Sequence, residues 1–245
     1  MKFDWNEGTI RRYIEANEYT GFFKNIAQII KPKLEGFSTL CDLGCGLGLL
    51  DLELHHNIEN ITCTDINQVA LNALEQTINE KNIQNIRTQI MDSNHIQGQW
   101  DIILVSFFGA KELECFLPHC KKLIAVVHGD KEGNLSPTKC DTFKKMNVSD
   151  VEENLREKAI HYSLTHHAFE FGQPLTSIEE AREYIQDHTP DITPGDLEIF
   201  LSEKLKKTGE EKYPFYIPRM KKMGIFEIKG EQFQSIYKFS YNKSL

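Results

Sequence analysis

The feature that most constrains this chain is the run Thr39-Leu40-Cys41-Asp42-Leu43-Gly44-Cys45-Gly46-Leu47-Gly48-Leu49-Leu50. A short apolar stretch ends near an acidic residue. Three glycines then alternate with other residues, and an apolar helix start follows. This order reads as strand, tight turn and helix, the arrangement by which an open α/β sheet presents backbone N–H groups to a cofactor. Two more acidic residues close apolar runs further on. Asp65 follows Ile61-Thr62-Cys63-Thr64, and Asp92 follows Ile90-Met91.

The flanking pattern predicts the rest of such a sheet. Residues 38–43 form the first strand, Leu49 to His56 a helix, and residues 60–65 the second strand. Asn67 is placed to cap a helix with Ala70, Ala73, Leu74, Thr77 and Ile78 on one face. Residues 85–91 form a third strand. Trp100 to Phe107 and Leu123 to His128 are nearly continuous apolar runs, as expected of central strands covered on both faces. Residues 110–119 suit a short helix between them. Strands alternating with helices at this interval predict a parallel sheet with right-handed crossovers.

The ends of the chain read differently. Tyr13, Phe22, Phe23, Ile26, Ile29 and Ile30 fall at helical spacing before Pro32. Residues 1–37 are therefore N-terminal helices, with Trp5, Tyr13 and Tyr19 either packed on the core or forming a lid over substrate. After His128, Asp130 to Asp141 reads as a loop. Ser149 and Ser177 each open a capping box. His161 to Phe171 is a sixth strand, and Thr193-Pro194 begins a helix closed near Gly209. Tyr213 to Ile217, Gly224 to Lys229 and Phe233 to Tyr241 are the last strand candidates. Residues 131–222 are long for a crossover, which predicts a helical cap that sets acceptor choice. The expected fold is one α/β domain over 1–245: a Rossmann-like, seven-stranded, mostly parallel sheet with helices on both faces. N-terminal helices form a lid (1–37), 38–130 the binding core and 131–222 the cap-bearing region. Antiparallel terminal strands fill 223–245.

Charge and cysteine usage narrow the partners. The net charge of −8 disfavours a large footprint on nucleic acid or anionic lipid. The lysine runs, such as Lys121-Lys122 and Lys221-Lys222, lie scattered among acidic residues and read as solvated surface. None of the six cysteines forms a C-x-x-C pair. They read as reduced core thiols, and no metal is assigned. No run of about twenty apolar residues and no apolar leader is present. A cytoplasmic protein without a membrane span is expected, as a monomer or homodimer.

The glycine spacing separates two cofactor classes. A dinucleotide fingerprint, Gly-x-Gly-x-x-Gly, needs its third glycine at Leu49. Here it falls at Gly48, which argues against a pyrophosphate cradle. These residues resemble the class I S-adenosylmethionine (SAM)-dependent methyltransferases. The match runs from Asp42 to Gly48, through Asp65 and Met91-Asp92, to the fourth strand ending at Ser106-Phe107, and covers about residues 38–128. The run GQPLTSIEEAREYI is similar to a segment of some bacterial small-molecule-type methyltransferases.

The resemblance implies roles. Gly44, Cys45, Gly46 and Gly48 would line the methionine and ribose part of SAM. Asp42 would orient the loop and reach the methionine amino group, directly or through water. Asp65 would accept the ribose hydroxyls, and Asp92 the adenine amine, with Ile66 and Ser93 flanking the ring. Ser106 and Phe107 would meet cofactor and substrate. The implied activity is transfer of a methyl group to a small-molecule acceptor, leaving S-adenosylhomocysteine (SAH). Transfer is an in-line displacement, so alignment and exclusion of water suffice, with a general base optional. The candidate bases are His128, Asp130, His166, His167 and Tyr162. His128 is preferred because it closes the fifth strand at the cleft, although a histidine there is commonly structural. His166 and His167 point to opposite faces of a strand, and His55-His56 suits a helix C-terminus. The fourth strand ends without the Asn/Asp-Pro-Pro-aromatic signature of exocyclic or amide nitrogen methylation. Methylation of RNA or protein, or SAM binding without transfer, remain the alternatives.

Overall fold

The five predicted parallel strands all form, the first four within a residue of their predicted bounds and the fifth starting three residues earlier than predicted, at Cys120. The computed structural model describes residues 4–108, 112–130 and 146–231. Two helices lead: α1 (Glu7–Thr20) and α2 (Phe22–Ile30). Then come β1 (Thr39–Leu43), α3 (Asp51–Leu54), β2 (Asn60–Asp65), α4 (Gln68–Glu80), β3 (Ile86–Ile90), β4 (Trp100–Ser106) and β5 (Cys120–His128). A 3-10 helix, Leu113–His119, lies ahead of β5, within the stretch where a short helix was expected. Pro118 lies inside it and supplies no N–H. The helix α3 is shorter than predicted, because its last turn tightens into a 3-10 segment at His55–Asn57.

The second half contains α5 (Val148–Glu157), β6 (Ser163–Glu170), β7 (Gln173–Leu175), α6 (Ile178–His188), α7 (Pro194–Lys204), β8 (Lys206–Lys207), β9 (Phe215–Ile217) and β10 (Met220–Lys229). The expected loop at 130–141, apart from Asp130, and the whole of the expected edge strand at 233–241 lie outside the described residues. Helix α5 starts before Ser149. Asn147 is the cap: its side chain accepts from Asp150 N–H at 2.9 Å, and the Asp150 carboxylate accepts from Asn147 N–H at 3.2 Å. Ser177 caps α6 as predicted. The Glu180 carboxylate, however, accepts from Thr176 rather than completing the box. Helix α7 ends at Lys204, ahead of Gly209.

The main sheet has the order β3-β2-β1-β4-β5-β10-β6. β1 to β5 pair in parallel, and β10 runs antiparallel between β5 and β6. Alternation along the strands splits the core into two layers. Leu40, Ile61, Ile102, Leu104, Ile124, Val126 and Ile225 pack with Phe22, Ile26 and Ile30 of α2 and Leu74 of α4. Leu43, Ile103, Val105, Leu123, Ala125, Phe226 and Ile228 face the other way, against Val151 and Leu155 of α5. Helices therefore cover both faces, which is why β4 is apolar from Ile102 to Val105 and β5 from Leu123 to Val127.

The cap is a separate small unit inserted between β6 and β10. Its strands pair in the order β7-β9-β8. It has its own core of Leu175, Ala181, Tyr184, Ile185, Leu197, Phe200, Leu201 and Ile217. Helix α1 is bound to this cap. Arg11 pairs with Glu180 at 2.7 Å, Arg12 with Asp187 at 2.6 Å, and Tyr19 donates to Glu210 at 3.2 Å. No helix among the described residues is long and apolar enough to cross a membrane.

Candidate cofactor and acceptor site

The turn after β1 is built from three left-handed glycines. Gly44, Gly46 and Gly48 have φ of +72°, +54° and +61°, a region that side chains with a Cβ disfavour. The turn is buckled onto β2. Gly44 and Cys45 N–H both donate to the Thr64 carbonyl, at 2.8 and 2.9 Å, and the Thr64 hydroxyl donates to the Asp42 carbonyl at 3.0 Å. A Cβ on Gly48 would lie 2.6 Å from Leu74, so this glycine lets the turn pack on α4. The other two face aromatic rings. A Cβ on Gly44 would lie 2.6 Å from Phe108, and one on Gly46 would lie 3.0 Å from Trp5.

Asp65 sits at the C-terminal end of β2 and ties two elements together. One carboxylate oxygen accepts from Gly46 N–H at 3.0 Å, the other from Asn67 N–H at 2.8 Å. Each oxygen has two lone pairs, so both keep acceptor capacity for a ligand. Ile66 beside it is exposed. Asp92 caps the turn at Ser93–His95, accepting from Asn94 N–H at 2.9 Å and from the Asn94 side chain at 2.8 Å. The Asn94 N–H pulls its carboxyl below the usual range. Ser93, next to it, is half-buried.

The ends of β4 and β5 meet in an aromatic wall. Phe107 takes φ +53°, a costly conformation for a bulky residue. Its N–H donates to the Val126 carbonyl at 2.8 Å. Its ring lies 4.9 Å from His128 and 5.8 Å from Phe22, centroid to centroid. Phe22 continues to Phe171 at 4.4 Å, Phe171 to Tyr13 at 5.2 Å and Tyr13 to Trp5 at 5.4 Å. The buried Lys221 lies at the centre, with its ammonium 3.6 Å from the Phe107 ring. Ser106 Oγ is buried without a hydrogen-bond partner.

The site residues expected from sequence thus gather at the C-terminal ends of β1, β2, β4 and β5, with Asp92 and Ser93 just past β3. Open α/β sheets bind ligands at that edge. Among the candidate bases, His128 meets Phe107. Tyr162 donates instead to Glu152 at 2.8 Å, Asp130 accepts from Ser149 N–H at 3.0 Å, and His167 bonds Thr165 at 2.9 Å. Phe108 and Asp51 have no part in the sequence-based site, and Lys221, expected there as solvated surface, is instead buried because β10 turns its side chain onto the Phe107 ring. Asp51 left a signal: it is an acid inside the apolar run Leu49 to Leu54. Its side chain is fully buried, as is that of Asp42.

Known proteins share this architecture. The family described as tellurite resistance protein TehB matches residues 11–114, which span α1 through the start of the 3-10 helix. No curated protein sequence matches the chain. Among solved structures, magnesium protoporphyrin IX methyltransferase (ChlM) from Synechocystis, with bound SAH, is 10% identical. Its TM-score is 0.51, and the match covers 94% of this chain and 90% of that one. A protein of Bacillus halodurans C-125 described as a methyltransferase is 11% identical, with a TM-score of 0.52 over 84% of this chain and 98% of that one. The cyclase SpnF is 12% identical, with a TM-score of 0.52 over 84% of this chain and 81% of that one. Likeness at such identities concerns the fold, and it is the same Rossmann-like fold each time. The strand order and the glycine turn agree with these matches. Residues 11–114 match the TehB family, and the chain as a whole has the Rossmann-like fold of class I SAM-dependent methyltransferases.

Proposed function

We propose that this methyltransferase acts on a small-molecule acceptor held between the glycine turn and the aromatic wall. In this reading Gly44, Cys45, Gly46 and Gly48 hold the methionine and ribose part of SAM, with Asp42 oriented toward its amino group. Asp65 accepts the ribose diol, and Asp92 the adenine amine, flanked by Ile66 and Ser93. Ser106 and Phe107 stand where cofactor and acceptor meet. The cofactor supplies a methyl group on a cationic sulfonium. The chain's task is to align the acceptor with that methyl and keep water out. His128 takes the acceptor's proton where one must leave. Residues 4–37 act as the lid and the unit from β7 to β9 as the cap.

The observation that carries this reading is the aromatic enclosure. Trp5 and Phe108 lie over the glycine turn, and Phe22, Phe107, Phe171 and Tyr13 form a continuous apolar wall beside it. A wall of this kind suits a compact acceptor with apolar surface. It gives a nucleic-acid backbone few cations to follow, and the chain is acidic overall. The fold shared with the cyclase SpnF makes turnover the deciding observation. The test is incubation of the full chain with methyl-labelled SAM and a metabolite extract, with tellurite as a separate acceptor because of the matching family's name. Label in a small-molecule product, with SAH formed, is expected. Label recovered in RNA or protein, or no SAH with any acceptor, would refute the proposal.

A further inference from the structure

The chain sets a second acid against Asp42. Asp51, the first residue of α3, is 0% exposed, and Asp42 is 1% exposed. Asp42 Oδ1 and both carboxylate oxygens of Asp51 are buried with no hydrogen-bond partner, although the two groups face each other. Carboxylates only accept. Two that meet away from water cannot both stay charged at low cost. A proton on one makes it a donor to the other. The neighbours do not supply the missing positive charge. Cys41 on β1, Cys45 in the turn, and Cys63 and Asp65 on β2 are thiols and acids. Burial and the Asp51 charge hold Asp42 well above the usual carboxylate range, while burial lifts Asp51 to about 6. At neutral pH the pair therefore holds one proton between its two carboxyls.

The pair stands immediately before and after Gly44–Gly48. On the reading above, this turn receives the methionine end of the cofactor, whose α-ammonium carries one positive charge and three donors. We infer that Asp51 is a cofactor-positioning residue: with Asp42 it forms a two-carboxylate seat that holds a proton in the free protein and releases it to solvent when the α-ammonium of SAM or SAH binds. The inference rests on Asp42–Gly48 being the cofactor turn. No covalent bond to carbon changes. One O–H bond of the carboxyl pair breaks, its proton goes to water, and the ammonium N–H groups take over the freed acceptor sites. Affinity for SAH then rises with pH, up to about tenfold per unit where a full proton is released. The ligand's own amine titrates at about 7.7–8.0, so the effect is read below that.

The test is titration calorimetry of the full chain at about pH 6 and about pH 7.3, a window below the ligand amine's own titration. Two buffers of unequal ionisation enthalpy are used at each pH. The ligands are SAH and methylthioadenosine, which lacks the amino-acid tail. About one proton released per SAH is expected by this linkage, none with methylthioadenosine, and a loss of most of that release in Asp51→Asn. SAH binding without proton release would overturn the inference. So would equal release with methylthioadenosine, or undiminished release in the variant. If Asp51→Asn fails to fold, the wild-type proton counts with the two ligands still decide. Should neither ligand bind the wild-type chain at either pH, the cofactor-turn reading fails and the inference falls with it.

Discussion

Asp65 holds the turn before it holds any ligand. Its two oxygens fix Gly46 N–H and Asn67 N–H, so losing it loosens both the glycine turn and the start of α4. Each charged hydrogen bond of this kind is worth about 1.5–3 kcal/mol. Asp65→Ala is therefore expected to weaken SAH binding by about tenfold or more, read by calorimetry. Asp65→Asn should not restore it, because an amide NH2 must face one of the two N–H donors. His128 poses a different question. His128→Ala should lower kcat by about a hundredfold if the residue is the general base and leave SAH affinity unchanged. An equal loss of SAH affinity would mean a structural role. Asp51 has a consequence for stability as well. Its carboxyl is raised on folding, so the folded state binds more protons than the unfolded one. Its burden on stability is absent at low pH, grows as pH rises from about 4 to about 6, and is complete above that. Asp51→Asn should thus raise thermal stability at about pH 8, by about 3 kcal/mol, and do little near pH 4. A lower melting temperature at both pH values would show that the carboxylate has a partner that the amide cannot replace.

Among the elements, α1 is the one whose role depends on what it touches. Its exposed ion pairs to the cap are individually weak. Together with the Tyr13 and Trp5 rings they join the N-terminal helices, the β7–β9 unit and the glycine turn. Trp5 reports on that junction, since it lies against Gly46, while the chain's second tryptophan, Trp100, opens β4 at the opposite end of the sheet. Binding of SAH is expected to change the tryptophan emission, and Trp5→Phe to remove that change. A signal that persists in the variant would place the lid elsewhere. Much at this scale was legible from sequence, because β1, β2, β4 and β5 each carry their own apolar run and α4 and α7 their own caps. The start of α5 was not. Asn147 and Ser149 are both good caps in isolation, and only the reciprocal bonds with Asp150 choose between them. The cap's small sheet was also hidden, since β7, β8 and β9 are two or three residues long and too short to show a period.

At the scale of the molecule, the order β3-β2-β1-β4-β5-β10-β6 brings distant residues to one edge. Asp42, Gly44, Gly46 and Asp65 were readable as a site because they lie within two consecutive strand ends. The aromatic wall was not, because Phe22, Phe107, Phe171 and Lys221 come from four separate parts of the chain. The antiparallel insertion of β10 beside β5 is what brings Lys221 to Phe107. Asp51 stayed hidden for a similar reason. A helical acid looks solvated until the strand behind it is known. Joint binding of SAM by the turn Asp42–Gly48 and Asp65 is tested by calorimetric titration of the full chain and of Asp65→Ala with SAH. Saturable binding at one site per chain, weakened about tenfold or more in the variant, is expected. No binding by the wild-type chain at millimolar SAH, or equal affinity in both proteins, would contradict it.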